Sequence, residues 1–212
     1  MRSISVVFGA VVAGVLASSC SGPVEAARNP DEVLTRATVV VAERCAGAVV
    51  EPGTIVLTAA HCVREGDVRL VVRFDDGSAV PADVASVDRA TDMAVLYLTA
   101  PSPFRGLALS DQLAPPGARL YFVGRPDRGE TPQEVDVLRH GHCPSLPLAP
   151  VVLFTSMHGT PGDSGAPLVD ERLRIVALVH GGARCSIAAP TWRAPAMVRA
   201  VLPDLPLTTA RQ

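Results

Sequence analysis

Aromatic side chains are scarce in this chain, since Phe, Trp and Tyr make up only 4% of its 212 residues. A packed core must therefore consist mostly of Val, Leu and Ala. Strong charge is missing too, because the formal net charge is −2 at pH 7, which gives no sign of a nucleic-acid partner. Helical periodicity is confined to residues 194–202, and no internal repeat recurs at a fixed period. These absences disfavour helical, repeat and nucleic-acid-binding architectures.

Short apolar runs are what the chain has instead. Hydrophobic residues make up 48% of it and charged residues 19%, which is enough to bury a substantial core. Nineteen prolines and seventeen glycines divide it into short segments. Between them lie Val-rich runs of strand length, such as TVVVA, TIVL, MAVLYL and RIVALV, and FDDGSAV carries an Asp-Gly hairpin signal. About ten such runs without alternating helices predict an all-β sandwich or barrel.

The first twenty residues have the pattern of a secretory signal. Arg2 precedes an apolar run over residues 4–17, which is too short and too weakly flanked for a membrane span, although a short N-terminal anchor is an alternative. The segment ASSC, ending at Cys20, resembles the lipobox of bacterial lipoproteins, but Leu16 stands four residues before the cysteine instead of three. Ordinary signal-peptidase cleavage is the other interpretation. We expect an exported protein, either secreted or periplasmic, or attached to the bacterial envelope through a lipidated Cys20.

The cysteine count agrees with export. The five cysteines are Cys20, Cys45, Cys62, Cys143 and Cys185. If Cys20 is lipidated or removed with the signal, an even set of four remains, as is typical of an oxidising compartment.

Two segments have the composition of connections. Residues 21–36 are polar and irregular, which predicts a linker after the signal. Residues 100–117 are rich in proline and weak in strand signals. The second segment is therefore the candidate connection between two β halves.

A serine framed by glycines lies in the segment HGTPGDSGAP, residues 158–167. Acyl transfer by serine needs a nucleophile, a base and hydrogen-bond donors for an oxyanion. Gly162 and Gly165 on either side of Ser164 allow a tight turn whose N–H groups point outward. Taken alone, the segment also suits an ordinary turn, because Gly, Asp and Ser form turns readily.

Two further segments hold candidates for the base and for its orienting carboxylate. His61 lies in VLTAAHCV beside Cys62, and a bond from Cys62 to Cys45 could brace its loop, although a lone histidine is more often structural. Asp92 lies in ATDMAVLYL, directly before an apolar run that would partly bury it. A buried Asp is costly without a partner, whereas a hydrogen bond to an imidazole satisfies it and fixes the tautomer.

The segments TAAHC, TDMAVL and PGDSGAP occur in that order, and each resembles one triad segment of the chymotrypsin-like (trypsin-fold) serine proteases. The resemblance spans about residues 38–202. It implies two six-stranded antiparallel β-barrels with the active site in the cleft between them, and a short C-terminal helix. The implied organisation is a signal over 1–20, the linker, barrels over 37–110 and 111–204, and a tail over 205–212.

The resemblance also implies a role for each site residue. Ser164 would be the nucleophile, His61 the general base and later the general acid, and Asp92 the carboxylate that holds the imidazole. The backbone N–H groups of Gly162 and Ser164 would form the oxyanion hole. The implied activity is that of a serine endopeptidase that cleaves proteins or peptides through an acyl-enzyme. A non-catalytic binding module on the same fold, or an esterase with the same triad, are the alternatives.

The chain departs from the family pattern in activation and spacing. No IVGG-type start follows a basic residue, so Asp163 needs a partner other than a newly cut N-terminus, such as an arginine. His61 and Asp92 are 31 residues apart and Asp92 and Ser164 are 72 apart, as in compact secreted bacterial members.

The cysteines match the family only in part. Cys45–Cys62 resembles the disulfide beside the catalytic histidine. Cys143 and Cys185 are spaced unlike the usual pairs around the nucleophile. A Cys143–Cys185 bridge is still the expectation for two remaining exported cysteines.

Substrate selection is predicted from two places. His158, six residues before the nucleophile, would lie near the base of the primary pocket, where trypsin-like members carry Asp. The edge strand that pairs with substrate backbone would comprise Val179, His180 and Gly181. A histidine in this region could pair with an acidic substrate side chain, or it could be a rim residue bonded to a hydroxyl or to backbone.

We expect neither a cofactor nor a metal. RHGHC, residues 139–143, has a metal-like composition but lacks a convincing fourth ligand, so a solvated loop is the better interpretation. The expected partner is a protein or peptide substrate, with no nucleic acid, and the expected state is a monomer.

Overall fold

The computed structural model describes residues 29–181 and 186–202, and their strands form two closed barrels. The first barrel contains β1 Thr38–Val41, β2 Cys45–Val50, β3 Ile55–Thr58, β4 Arg69–Arg73, β5 Ala79–Asp88 and β6 Met93–Leu98. The second contains β7 Arg119–Phe122, β8 Gln133–Gly141, β9 Val152–Thr155, β10 Pro167–Val169, β11 Ile175–Gly181 and β12 Ile187–Pro190. The barrel orders are β1-β2-β3-β6-β5-β4 and β10-β11-β12-β9-β8-β7, with antiparallel pairing throughout. The predicted pair of six-stranded antiparallel barrels is confirmed.

Small β-branched and aliphatic side chains fill both barrels, as the scarcity of aromatics predicts. In the first barrel Val39, Val49 and Val56 pack with Leu96 in one buried cluster. Branched side chains suit this position because they pack well on a pleated, buried surface. The fully buried patterns of β1, β2 and β3 follow from strands that face solvent on neither side.

The Asp-Gly signal closes the hairpin between β4 and β5. Arg73 pairs with Ala79, and Phe74 N donates to Ser78 O at 2.8 Å. Gly77 has a φ of 82°, the left-handed conformation that glycine adopts without strain. The predicted hairpin is therefore confirmed.

A helix, α1 Pro30–Ala37, lies at the end of the segment predicted as a linker. The Asn29 side chain accepts from Asp31 N at 3.1 Å, and Pro30 occupies the first turn, so the start of the helix is well capped. Leu34 and Ala37 are buried against the first barrel and the barrel interface. The linker prediction fails over these residues because capping and two apolar contacts stabilise a helix that periodicity alone does not reveal.

The proline-rich connection joins the two barrels through one bridge to each. Leu107 pairs with Val50 of the first barrel, and Leu109 pairs with Ile175 of the second. Both leucines are buried in a cluster shared by the barrels. The connection thereby fixes one barrel against the other, which the cleft between them requires.

A second helix, α2 Ala194–Val201, lies where helical periodicity predicts one. Neither helix of the described residues is long and apolar enough to cross a membrane. The predictions for residues 1–20, Cys20, Cys185 and the tail over 205–212 lie outside the described residues.

Candidate active site

The loop that carries His61 is fixed from several sides. His61 lies in a 3₁₀ turn, Ala60–Cys62, directly after β3, and the predicted Cys45–Cys62 disulfide is present. Arg89 donates to Ala60 O and Val63 O, each at 2.8 Å. Because the backbone on both sides of His61 is held, the imidazole is presented from a rigid support while 43% of its side chain stays exposed.

Asp92 lies under the His61 ring, at the start of β6. It is only 3% exposed, and its carboxylate accepts from His61 N at 3.0 Å. His61 Nδ1 lies 3.0 Å from each carboxylate oxygen. This contact places the Nδ1 proton on the Asp92 side, so Nε2 is left as the acceptor of the imidazole.

The environment of Asp92 keeps it ionised. Burial raises the pKa of its carboxyl, but hydrogen bonds from His180 and His61, together with the charges of those imidazoles, outweigh burial and lower the pKa to about 2. Asp92 is therefore a carboxylate throughout the range in which an imidazole titrates.

His180 lies on the other side of Asp92, a contact that the sequence does not predict. Its Nδ1 hydrogen-bonds Asp92 Oδ2, and its ring meets the His61 ring edge-on at a centroid distance of 5.1 Å. From the sequence, His180 is expected on the substrate strand or in the pocket. The structure directs its imidazole to the carboxylate instead, because His180 sits at a register shift between β11 and β12.

Ser164 is brought to the same place by the glycines around it. Gly162 has a φ of 103° and Gly165 a φ of 87°, both accessible mainly to glycine. A Cβ on Gly165 would lie 2.3 Å from Ala46 O of the first barrel, so no side chain fits there. Ser164 O accepts from Ala46 N at 2.9 Å, which ties the nucleophile segment across the cleft.

The Ser164 hydroxyl is hydrogen-bonded to a backbone carbonyl. It donates to His180 O at 3.3 Å, and within residues 29–181 and 186–202 it makes no hydrogen bond to His61. Catalytic hydrogen bonds are often long or misaligned before substrate binds.

The two predicted oxyanion donors, the backbone N–H groups of Gly162 and Ser164, are not hydrogen-bonded to other described residues. Neither Gly162 N nor Ser164 N donates a hydrogen bond within residues 29–181 and 186–202, whereas Asp163 N, between them, donates to Thr160 O at 3.1 Å. Two N–H groups available on one turn beside a serine hydroxyl match what an oxyanion hole requires.

Arg128 is the partner of Asp163. Asp163 is 1% exposed, and its Oδ1 accepts from Arg128 Nη1 at 2.9 Å. Arg128 also donates to Thr160 Oγ1 and Pro161 O, so it bonds three points of the nucleophile loop. The sequence predicts an arginine partner for Asp163 but does not identify it, because no local pattern marks a partner 35 residues away.

The residues predicted to select substrate differ in exposure and in how far their backbone groups are already hydrogen-bonded. His158 is exposed. Val179 N donates to Ala166 O at 2.9 Å and Val179 O accepts from Gly165 N at 2.7 Å, so its backbone is already used within the barrel, unlike the expectation of substrate pairing. Gly181, half-buried with a φ of 77°, lies where a Cβ would come within 3.7 Å of Ser164 Oγ.

Among the described residues, two groups of side chains are close enough to share a metal ion. One is Cys45, His61 and Cys62, whose cysteines are in the disulfide and are not thiolate ligands. The other is His61, Asp92 and His180, whose donor atoms lie within 4.8 Å of one another. Hydrogen bonds to the shared carboxylate account for the closeness of this second group. In the metal-like RHGHC segment, His140 Nε2 contacts Ala114 O at 2.7 Å.

Comparison with known proteins agrees with this geometry. The family model described as "Trypsin-like peptidase domain" matches residues 45–178. No curated protein sequence matches the chain.

Three solved structures share the fold at low identity. An inactive form of Rv3671c from M. tuberculosis H37Rv, a serine-to-alanine mutant, is 21% identical, with a TM-score of 0.65 over 88% of this chain and 97% of that chain. The serine endoprotease from Yersinia pestis is 17% identical, with a TM-score of 0.65 over 82% of this chain and 66% of that chain. The HtrA-type protease AlgW with a decapeptide is 19% identical, with a TM-score of 0.63 over 76% of this chain and 52% of that chain.

Proposed function

Because the chain belongs to the trypsin-like peptidase family and is a serine-type peptidase, we propose that it is an exported endopeptidase that forms an acyl-enzyme on Ser164. The proposal depends on one observation: three segments that are distant in sequence lie together in the structure. His61 is bonded to a buried, ionised Asp92, and the glycine-framed Ser164 lies in the same cleft. A plain turn around Ser164 needs neither of the other two groups.

The chemistry follows from the positions of the protons. His61 Nδ1 faces Asp92, so Nε2 takes the Ser164 proton once the hydroxyl rotates away from His180 O. The serine oxygen then attacks the peptide carbonyl, and the N–H groups of Gly162 and Ser164 stabilise the resulting oxyanion. His61 passes its proton to the leaving amine, and a water molecule repeats the sequence to release the acid and restore the serine.

A protein or peptide is the substrate class we propose. AlgW, which shares the fold, has been solved with a decapeptide. An esterase could use the same three groups, and matched peptide and ester substrates separate the two activities.

Export is the second part of the proposal. The apolar N-terminal segment followed by Cys20 supports it, and so does a disulfide beside the catalytic histidine. Growth with an alkyne-labelled fatty acid distinguishes the two modes. A lipid-anchored protein incorporates the label and a Cys20→Ser variant does not, whereas a protein cut by ordinary signal peptidase stays unlabelled in both forms.

A peptide-library digest tests the activity itself. The purified protein should generate new peptide termini, and a Ser164→Ala variant should generate none. Residues enriched before the cleaved bond would also test the role of His158, because an acidic preference is expected if that imidazole faces the substrate side chain. A folded wild-type protein that cleaves esters but no library peptide would overturn the endopeptidase assignment.

A further inference from the structure

His180 contacts every member of the proposed triad. Its Nδ1 bonds Asp92, its ring edge meets the His61 ring, and its backbone carbonyl accepts from the Ser164 hydroxyl. Only 12% of its side chain is exposed. A residue that only lined the substrate strand would not need its imidazole turned into this buried cluster.

Asp92 is shared between two imidazoles. Its oxygens accept from His61 N, from His61 Nδ1 and from His180 Nδ1, so every hydrogen bond to its side chain within the described residues comes from a histidine. A buried carboxylate is stable when it is well supplied with donors. The second imidazole therefore holds the carboxylate in the orientation that His61 needs.

The bond to Asp92 also defines the state of the His180 ring. Because Nδ1 faces a carboxylate that is ionised at neutral pH, it carries the proton. The titratable groups that face this ring within the described residues are Asp92, at the start of β6, and His61, on the 3₁₀ turn.

We propose that His180 is a positioning residue of the active site, one that shares Asp92 with His61 through its imidazole and holds the resting Ser164 hydroxyl through its carbonyl. The proposal rests on the proposed function, because it assigns His180 to the same reaction. It acts through Asp92 and His61 and takes no proton from substrate. Two donors on one carboxylate fix its orientation more tightly than one, which is how a positioning residue supports general-base catalysis.

Proton NMR tests the shared carboxylate without any reaction. Imidazole N–H groups bonded to a carboxylate give resonances far downfield, and the proposal predicts two of them in the wild-type protein. His180→Phe, which keeps the ring and removes the donor, should abolish one, and His61→Ala should abolish the other. His142→Ala, at an exposed histidine outside the cluster, is the control and should leave both. A wild-type spectrum with only one such resonance, or one with two that are both unchanged in His180→Phe, would overturn the proposal.

Labelling the histidines with ¹⁵N gives a measurement on the unmodified chain, so a variant that fails to fold does not leave the question open. The proposal predicts Nδ1-protonated rings for both His61 and His180 at neutral pH. A neutral His180 ring protonated at Nε2 alone would contradict it. These spectra do not depend on peptidase activity, so the proposed function can fail while the shared carboxylate stands, and the reverse also holds.

Kinetics then distinguish positioning from a structural role. His180→Phe should lower kcat about tenfold with KM little changed, a fraction of what a general base contributes. His180→Asn places an amide donor near the position of Nδ1 and should recover most of the loss. Equal kcat in wild type and His180→Phe would refute the positioning role. A folded His180→Asn variant whose kcat is no higher than that of His180→Phe would refute it too.

Discussion

The Arg128 guanidinium lies 2.9 Å from the Asp163 carboxylate, which is 1% exposed and adjoins the proposed nucleophile. A buried carboxylate in this place must have a cationic partner, because an isolated buried charge is very costly. In members of the fold that are activated by cleavage, the partner is a new N-terminus. Here the Arg128 side chain supplies the charge, so we expect the turn that holds Gly162 and Ser164 to form without a new N-terminus.

Removing Arg128 should damage both stability and activity. Arg128→Met leaves Asp163 buried without its partner, and breaking a buried pair on one side costs about 3 kcal/mol of unfolding free energy. The oxyanion turn should loosen, with a fall in kcat of about 10²-fold. Chemical denaturation and steady-state kinetics measure the two effects.

Arg119→Met is the matched control for this prediction. Arg119 pairs with Glu134 at 3.5 Å with both side chains more than half exposed. Its loss should cost under about 1 kcal/mol and leave kcat unchanged. Equal behaviour of the two variants would show that Arg128 does not support the turn.

A side chain at Gly162 should close the oxyanion hole. An added Cβ would lie 2.8 Å from Arg128 Nη2 and 3.0 Å from Arg125 Cδ, on a backbone with a φ of 103°. Gly162→Ala should therefore tilt the Gly162 N–H and reduce kcat about 10²–10³-fold. Gly77→Ala, at a φ of 82° with no atom within 4 Å of the new Cβ, imposes comparable backbone strain far from the site. Similar kcat values in the two variants would count against the assigned donor.

Stability at acidic pH should depend on Asp92. Its pKa is about 2 in the folded chain against an ordinary 3.8, so the unfolded chain binds the proton first as pH falls. The contribution, about 2 kcal/mol, is complete above pH ~5 and is lost as pH falls through 4 towards 2. Urea unfolding from pH 2 to 6 should show this slope in wild type and a shallower one in Asp92→Asn.

Asp75→Asn is the control for the acid range, because Asp75 is exposed in the β4–β5 hairpin. Its slope should match that of wild type. An Asp92→Asn slope that also matches wild type would disprove the linkage between Asp92 and acid stability.

The Cys45–Cys62 disulfide should support the His61 loop more than the fold as a whole. The bond spans 17 residues, a loop for which a disulfide contributes about 3 kcal/mol. A Cys45→Ala, Cys62→Ala double variant should remain folded at 25 °C but melt at lower temperature, with reduced kcat because the turn carrying His61 is freed. An unchanged kcat in the double variant would show that the arginine contacts alone hold this turn.

Strands and triad candidates were predictable because their signals are local. MAVLYL matches β6 residue for residue, and the Asp-Gly turn has its own backbone preference. The strand Ile187–Pro190 is harder to predict, since two of its four residues are alanine and one is proline. The helix at Pro30 did carry a signal, an Asn-Pro-Asp cap, but an eight-residue helix shows too few apolar positions for periodicity to detect.

The contacts of Arg128 and His180 could not be predicted in the same way. Arg128 reaches Asp163 across 35 residues within the second barrel, and His180 of the second barrel reaches Asp92 of the first across 88 residues, so both contacts depend on tertiary structure. A histidine near the end of a strand is compatible with pocket, rim or core positions, and the register shift in β11 decides among them. Side-chain direction at such a shift is a tertiary property.

Labelling with a fluorophosphonate probe is the most direct test of the central claim that Ser164 is an activated nucleophile. We expect one phosphonyl group per chain, located by mass spectrometry on the peptide that contains Ser164. Ser164→Ala and His61→Ala should be unlabelled, while Ser78→Ala, at an exposed serine of the β4–β5 hairpin, should label like wild type. A folded wild-type protein that takes up no probe, or a Ser164→Ala variant labelled as fast as wild type, would show that Ser164 is not an activated nucleophile.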